Sequence, residues 1–239
     1  MAITHFKRKE IKYRLSEAQA DALMQRVSHR LLPSEFFFSE INNLYLDTAD
    51  YQLIRASIAK PVYKEKLRIR SYGNAADSGV FYEIKKKYKG VVYKRRFRVG
   101  SDQLEDAGSY PLQFYPEQFE KDAQTVKEWN YCEWLYPDLQ PRYYVGYDRH
   151  AYVGAEDAEF RVTLDRNLRW RNHDLTLTDN RDGTDLLQND VLMEIKVPGA
   201  MPLWMSAALS ELSIFPVSFS KIGEAYTHDK KDALLAYVV

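Results

Sequence analysis

Charged and apolar residues alternate with a period of two in Lys64-Glu65-Lys66-Leu67-Arg68-Ile69-Arg70-Ser71-Tyr72, and again in Phe81-Tyr82-Glu83-Ile84-Lys85. That is the strand period, because successive side chains of an extended backbone point to opposite faces. Lys66, Arg68 and Arg70 therefore share one face while Leu67 and Ile69 share the other, and Glu83 and Lys85 oppose Tyr82 and Ile84. The pattern recurs along the chain. Arg8, Glu10, Lys12 and Arg14 oppose Ile11, Tyr13 and Leu15; Lys94, Arg96 and Arg98 share one face of 91–99. Glu159, Arg161, Thr163 and Asp165 oppose Phe160, Val162 and Leu164, and Glu194 and Lys196 oppose Met193, Ile195 and Val197. A chain written this way has to build a sheet with one apolar and one charged face.

Between these segments the signals are helical or turn-like. Ser16 with Gln19 three residues on is a capping box, and Leu23, Met24, Val27, Leu31 and Leu32 continue it as an apolar stripe with Pro33 as its expected stop. Asn43 to Thr48 is expected to be a second strand, followed by a short helix or turn over 49–59. Lys89-Gly90 marks a tight turn joining Val80–Tyr88 to Val91–Val99 as a hairpin. Helices are expected over Ser101–Ala107, Pro116–Trp129 and Met201–Leu212, and again from Ser218 or Ser220; strands resume at Pro141 and run through Tyr147-Asp148-Arg149. No linker, repeat or regular βαβ alternation divides the chain, so the expected class is a single antiparallel α+β domain over residues 1–239. Closing the one-faced strands into a barrel of about eight would turn the charged face inward and pack the apolar faces against surrounding helices.

Composition limits what such a charged face can serve. The 239 residues carry 34 basic and 34 acidic side chains, and a net charge of zero argues against general nucleic-acid or membrane-surface binding. An anion site has to come from local clustering instead. One cysteine, Cys132, excludes an internal disulfide framework; it sits in Tyr131-Cys132-Glu133-Trp134 without a basic activator and reads as a packed thiol. His5, His29, His150, His173 and His228 are scattered without ligand spacing, and no Gly-rich phosphate loop is present. No segment approaches the roughly 18 apolar residues of a membrane helix, which makes a cytoplasmic location the default expectation. For any single strand, a solvated charged face is the simpler reading, and Lys86 and Lys89 fit a wet hairpin tip. Recurrence favours a lined cavity, since Glu-x-Lys occurs as Glu10/Lys12, Glu83/Lys85 and Glu194/Lys196 beside the repeated Arg and Lys pairs. Guanidinium and ammonium groups suit phosphate oxygens, and a few carboxylates suit Mg2+ or Mn2+.

Six segments in order, Phe6–Tyr13, Lys66–Gly73, Phe81–Lys87, Tyr93–Arg96, Glu194–Lys196 and Phe219–Lys221, resemble the motifs of the VTC domain. This is the polyphosphate polymerase domain of the vacuolar transporter chaperone type, within the triphosphate tunnel metalloenzyme (CYTH-like) superfamily. The resemblance implies a basic β-barrel tunnel in which the γ-phosphoryl of ATP passes to a polyphosphate chain with Mn2+ or Mg2+ as cofactor. By motif match it implies that Lys12, Arg68, Arg70, Lys85, Lys94, Arg149 and Arg161 are catalytic. Arg8, Arg96, Lys196, Ser220 and Lys221 would bind phosphate, and Glu194 would hold metal, joined by Glu10 and Glu83. ATP, polyphosphate or tripolyphosphate are the implied partners, with no nucleic acid; a membrane-protein partner and the oligomeric state are left open. The hydrolytic tunnel enzymes carry Glu-x-Glu-x-Lys near the N-terminus, whereas this chain reads Arg8-Lys9-Glu10-Ile11-Lys12. One carboxylate fewer suits a site with more phosphate grip than water activation. The alternatives that remain are an inorganic triphosphatase or polyphosphate hydrolase on the same fold, and a non-catalytic polyphosphate-binding module. The chain carries neither a phosphate-sensing helical domain nor a membrane segment, so coupling of synthesis to translocation is not expected of it.

Overall fold

The computed structural model describes residues 9–104, 110–178 and 181–236. In chain order the elements are β1 (Lys9–Leu15), α1 (Glu17–Val27), β2 (Leu31–Asp47), α2 (Gln52–Ala59), β3 (Tyr63–Tyr72), α3 (Ala75–Ser78), β4 (Val80–Tyr88) and β5 (Val91–Val99). There follow α4 (Ala123–Leu135), β6 (Gln140–Gly154), β7 (Arg161–Arg171), β8 (Thr184–Asp185), β9 (Val191–Val197), α5 (Leu203–Glu211), β10 (Pro216–Val217) and α6 (Lys221–Ala236). The strands pair in the order β10-β1-β9-β7-β6-β2-β3-β4-β5, with β8 beside β7, and the ladders are antiparallel where their register is defined. The expected antiparallel α+β class is met with ten strands rather than about eight. Among the described residues the pairing runs as an open path, where the sequence had suggested a closed ring. One end of the path is β10, two residues long and starting at Pro216, which has no N–H to offer a further strand.

The chain forms two compact units, each assembled from separated segments. The first takes the described residues of 1–40, 147–168 and 187–219, and the second those of 41–146, 169–186 and 220–239. β2, β6 and β7 each run from one unit into the other. In the first unit the apolar face of β1 (Tyr13, Leu15), β7 (Val162, Leu164) and β9 (Met193, Ile195, Val197) packs on Ala20, Leu23 and Val27 of α1 and on Met205, Ala208 and Leu209 of α5. In the second, Leu44, Leu67, Ile69, Tyr82, Ile84, Phe97 and Val99 pack on Val126, Trp129 and Cys132 of α4. These are the apolar positions of the alternating strands, and each fully buried side chain stabilises by roughly 1.5–3 kcal/mol. Tyr82 stacks on Phe97 at 5.1 Å while Trp129 meets Tyr82 edge-on and donates its indole N–H to the Leu112 carbonyl.

Local chemistry explains most boundaries. Ser16 and Gln19 form the expected capping box at the start of α1, with Gln19 N–H donating to Ser16 Oγ at 3.2 Å and Ser16 N–H to Gln19 Oε1 at 3.1 Å. Lys89 and Gly90 have φ of 46° and 84°, the left-handed pair a two-residue hairpin turn requires, so Tyr88 pairs with Val91 as expected. The expected helix through Leu32 ends earlier, at Val27. Leu31 and Leu32 begin the 17-residue β2, whose Phe36-Phe37-Phe38 run favours extended backbone. Pro33 is tolerated there near the strand's start. The expected helix over Ser101–Ala107 is a single 3₁₀ turn at Ser101–Gln103, and residues 105–109 lie outside the described residues. Pro116–Gln118 forms another single 3₁₀ turn, and the α-helix expected from Pro116 starts at Ala123. Among the described residues no helix is long and apolar enough to cross a membrane.

Candidate functional site

The charged face of β3, β4 and β5 is set by register. Tyr45 of β2 lies beside Arg68, which lies beside Glu83, which lies beside Arg96; one step along, Lys66, Lys85 and Lys94 are aligned; one step the other way, Asn43, Arg70, Phe81 and Arg98 are. The rows close around one carboxylate. Arg68 donates from Nε to Glu83 Oε2 at 2.6 Å, with its Nη2 also at 2.6 Å, and Lys94 Nζ lies 2.9 Å from Oε1. Arg70 Nε and Arg96 Nη1 stand 3.9 Å from the two oxygens. Burial, with Glu83 at 1% exposed, acts to raise its pKa, but Arg68, Arg70 and Lys94 outweigh it and hold the carboxyl at about 2. Burial in turn lowers the Lys94 pKa, opposed by Glu83 and assisted by Arg68 and Arg70.

Outer contacts fix the guanidiniums. Arg70 is buried and donates from Nε to Asn43 Oδ1 at 2.8 Å. Arg68 donates from Nη1 to the Tyr45 hydroxyl at 3.2 Å. Burial would raise the Tyr45 pKa, but Arg68, Lys66 and Arg70 pull it down to about 8. Lys66 Nζ donates to Ser220 Oγ at 2.9 Å, and that oxygen also accepts the Gly223 N–H at 3.2 Å as the N-cap of α6. Lys221 follows in the first turn, buried at 8% exposed, where the helix dipole disfavours a cation. Lys85, Lys94 and Arg96 reach the exposed side of the face. Lys64, Lys66, Arg68, Arg70, Lys85, Lys87, Lys94, Arg96 and Arg98 thus share a face with Glu83.

The first unit carries a different cluster. β1, β9 and β7 align Glu10 with Lys196 and Arg161, and Lys12 with Glu194 and Thr163. Lys12 Nζ lies 3.4 Å from Glu194 Oε1 and 3.7 Å from Glu10 Oε1, and donates to the Phe219 carbonyl at 3.1 Å. Arg149 grips Asp165 with two donors, Nε to Oδ1 at 2.6 Å and Nη2 to Oδ2 at 2.8 Å, and its Nη2 stands 3.5 Å from Glu194 Oε2. Burial works against the Arg149 charge, and Asp165 and Tyr147 more than offset it, so the guanidinium stays protonated. Lys196 Nζ is 4.0 Å from Glu10 Oε2, and Arg161 is exposed. Here Lys12, Arg149, Arg161 and Lys196 face Glu10, Glu194 and Asp165, so the charges nearly cancel.

The predicted residues therefore divide between two clusters. Arg68, Arg70, Lys85, Lys94, Arg96, Ser220 and Lys221 belong to the second unit with Glu83; Lys12, Glu10, Glu194, Lys196, Arg149 and Arg161 belong to the first. Arg8 lies outside the described residues. Among the described residues no three His, Cys, Asp or Glu side chains gather as a metal-holding group. Glu10 and Glu194, which converge on the Lys12 ammonium, are a hard-oxygen pair of the kind Mg2+ or Mn2+ takes when phosphates and water complete its shell. Glu83, by contrast, is wrapped by cations. Sequence reading missed Lys66, Tyr45, Asn43 and Asp165 as site members, although all four stand on alternating strands beside residues it named. Cys132 is buried, and burial with Glu65 pushes its thiol up to about 11, in keeping with a packed, unreactive group.

The VTC domain profile matches residues 7–228. The chain belongs to the VTC domain family. Among solved structures, an adenylyl cyclase candidate from Hippeastrum that reveals a dominant triphosphatase activity is 18% identical, with 92% of this chain and 95% of that one covered and a TM-score of 0.49. An adenylate cyclase candidate from Bacillus halodurans is 14% identical, covering 89% of this chain and 95% of that one, with a TM-score of 0.48. One from Vibrio parahaemolyticus is 12% identical over 89% and 94%, with a TM-score of 0.45. No curated protein matches the VTC-domain chain at a significant level.

Proposed function

We propose that this VTC-domain chain is an ATP-dependent polyphosphate polymerase that moves the γ-phosphoryl of ATP onto a phosphate chain. The observation that carries the reading is the imbalance around Glu83: a buried carboxylate fixes Arg68, Arg70, Lys94 and Arg96 while Lys66 and Lys85 add charge in the next row. Such a face is held rigid by its one anion and keeps a positive excess for phosphate oxygens. Phosphoryl transfer asks mainly for positioning and charge neutralisation, which preorganised guanidinium and ammonium groups supply. Arg68 and Arg70 orient phosphates from fixed guanidiniums, Lys85, Lys94 and Arg96 neutralise charge from the exposed side, and Lys66 with Ser220 and Lys221 receive phosphates beside the start of α6. In the first unit Lys12, Arg149, Arg161 and Lys196 contact phosphate. Glu10 and Glu194 would hold Mn2+ or Mg2+, which when bound polarises phosphoryl oxygens. Glu83 acts as the anchor of the cations rather than as a metal ligand.

The test is turnover. Incubated with ATP and Mn2+, the protein should yield polyphosphate and ADP, and Arg70→Ala should lower the rate by about 10²-fold, the scale of removing one preorganised donor. Orthophosphate release from tripolyphosphate without polymer would identify a hydrolase instead, and tight salt-sensitive binding without turnover would identify a binding module.

A further inference from the structure

Beyond the phosphate chemistry, β2 presents a stretch of edge beside which no described strand is paired. Its neighbours are β6 and β3, and β3 pairs only with Ile41 to Leu46. Among the described strands, none lies on that side of Ser34 to Ser39. Phe36, Phe37 and Phe38 stand in this stretch, 71%, 36% and 56% exposed. Phe37 rests against His150 at 5.2 Å and Tyr152 at 5.3 Å on β6, and Phe38 meets His150 at 5.2 Å. An open row of backbone donors and acceptors beside exposed aromatics is a template for another strand.

The limits of the edge select the occupant. Pro33 ends it on one side because it has no N–H, and β3 takes over at Ile41 on the other, so the midpoint is Phe37. Antiparallel pairing of two copies about Phe37 sets Phe36 opposite Phe38, Glu35 opposite Ser39 and Ser34 opposite Glu40. Aromatic meets aromatic, and no carboxylate faces another. A slip of one residue in either direction would turn one copy's face over relative to the other's, and in one direction it would also set Glu35 opposite Glu40, a like-charge pair. We propose that a second copy of this chain docks on β2, pairing antiparallel through Ser34-Glu35-Phe36-Phe37-Phe38-Ser39-Glu40.

Sedimentation velocity over a concentration series tests this on the full chain. The parent is expected to form a dimer. F36K/F38K sets lysines against each other across the pair and should weaken dimerisation by about tenfold or more. F36E/F38K should restore it, because the carboxylate introduced at 36 meets the ammonium introduced at 38 of the other copy. At concentrations where all three are monomeric they should melt alike, since both positions are exposed. A parent monomeric at every concentration overturns the proposal, as does equal weakening by the two double variants. So does a monomeric parent that floats with phosphatidylcholine vesicles, which would assign the aromatics to a lipid surface.

Discussion

The Glu83 cluster and the Glu194 cluster are built from the same residue types on the same kind of strand, yet they hold charge in opposite ways. Around Glu83, one carboxylate meets four cations, with Lys66 and Lys85 adding charge in the next row; around Glu194, Glu10 and Asp165, three carboxylates meet four cations. The first arrangement has positive charge to spare around a single buried anion. In the second, Asp165 grips Arg149, Glu10 and Glu194 share the Lys12 ammonium, and Arg149 and Lys196 also stand within 4.0 Å of Glu194 and Glu10. What differs is the balance of charge, with cations in excess around Glu83 and nearly matched by carboxylates around Glu194.

The strongest way to break the comparison is Glu83→Gln. If the carboxylate is the scaffold, its loss leaves buried Arg70 and Arg68 uncompensated and should cost about 3–5 kcal/mol, read as a fall in Tm. Glu194→Gln should cost far less stability while raising the Mn2+ concentration needed for half-maximal turnover several-fold; equal losses of Tm from both changes would erase the distinction. Next comes Arg149→Lys. An ammonium cannot reproduce the two-donor grip on Asp165, so a loss of about 1–3 kcal/mol is expected in thermal melts, where Lys94→Arg at the exposed end of the other cluster should be nearly silent. The smallest effect is on pH. The Glu83 pKa is depressed in the fold, so its contribution is fully present above about 4.5 and is lost as pH falls toward about 2. Acid unfolding monitored by circular dichroism should therefore show a component between those values that is missing in Glu83→Gln.

Which residues share a face could be read from the sequence because burial on a strand is a local, period-two property. The Lys89-Gly90 turn holds further information: a two-residue loop fixes Glu83 opposite Arg96 and Lys85 opposite Lys94, enough to place cations around Glu83 from the sequence alone. Other contacts have no local trace. Lys66 and Ser220 are 154 residues apart, and Lys12 and the Phe219 carbonyl 207. The start of β2 was misjudged because Leu31 and Leu32 also fit the helical stripe of α1, and only tertiary pairing decides between the two periods. Away from a short hairpin, as at Glu10 and Glu194, a carboxylate on a charged face gives no sign in the sequence of whether cations or a metal will claim it.

The convergence of Arg68, Arg70, Lys94 and Arg96 on one side chain also governs how mutational data on this protein will combine. Partners of a shared group are coupled, so their single-substitution effects should not sum, and a double-mutant cycle between Arg68 and Lys94 should return an interaction energy of about 0.5–3 kcal/mol. Removing Glu83 first should collapse that coupling toward zero. Read this way, the carboxylate and its cations form one thermodynamic unit, and a ranking of them by alanine scanning would count the same energy several times.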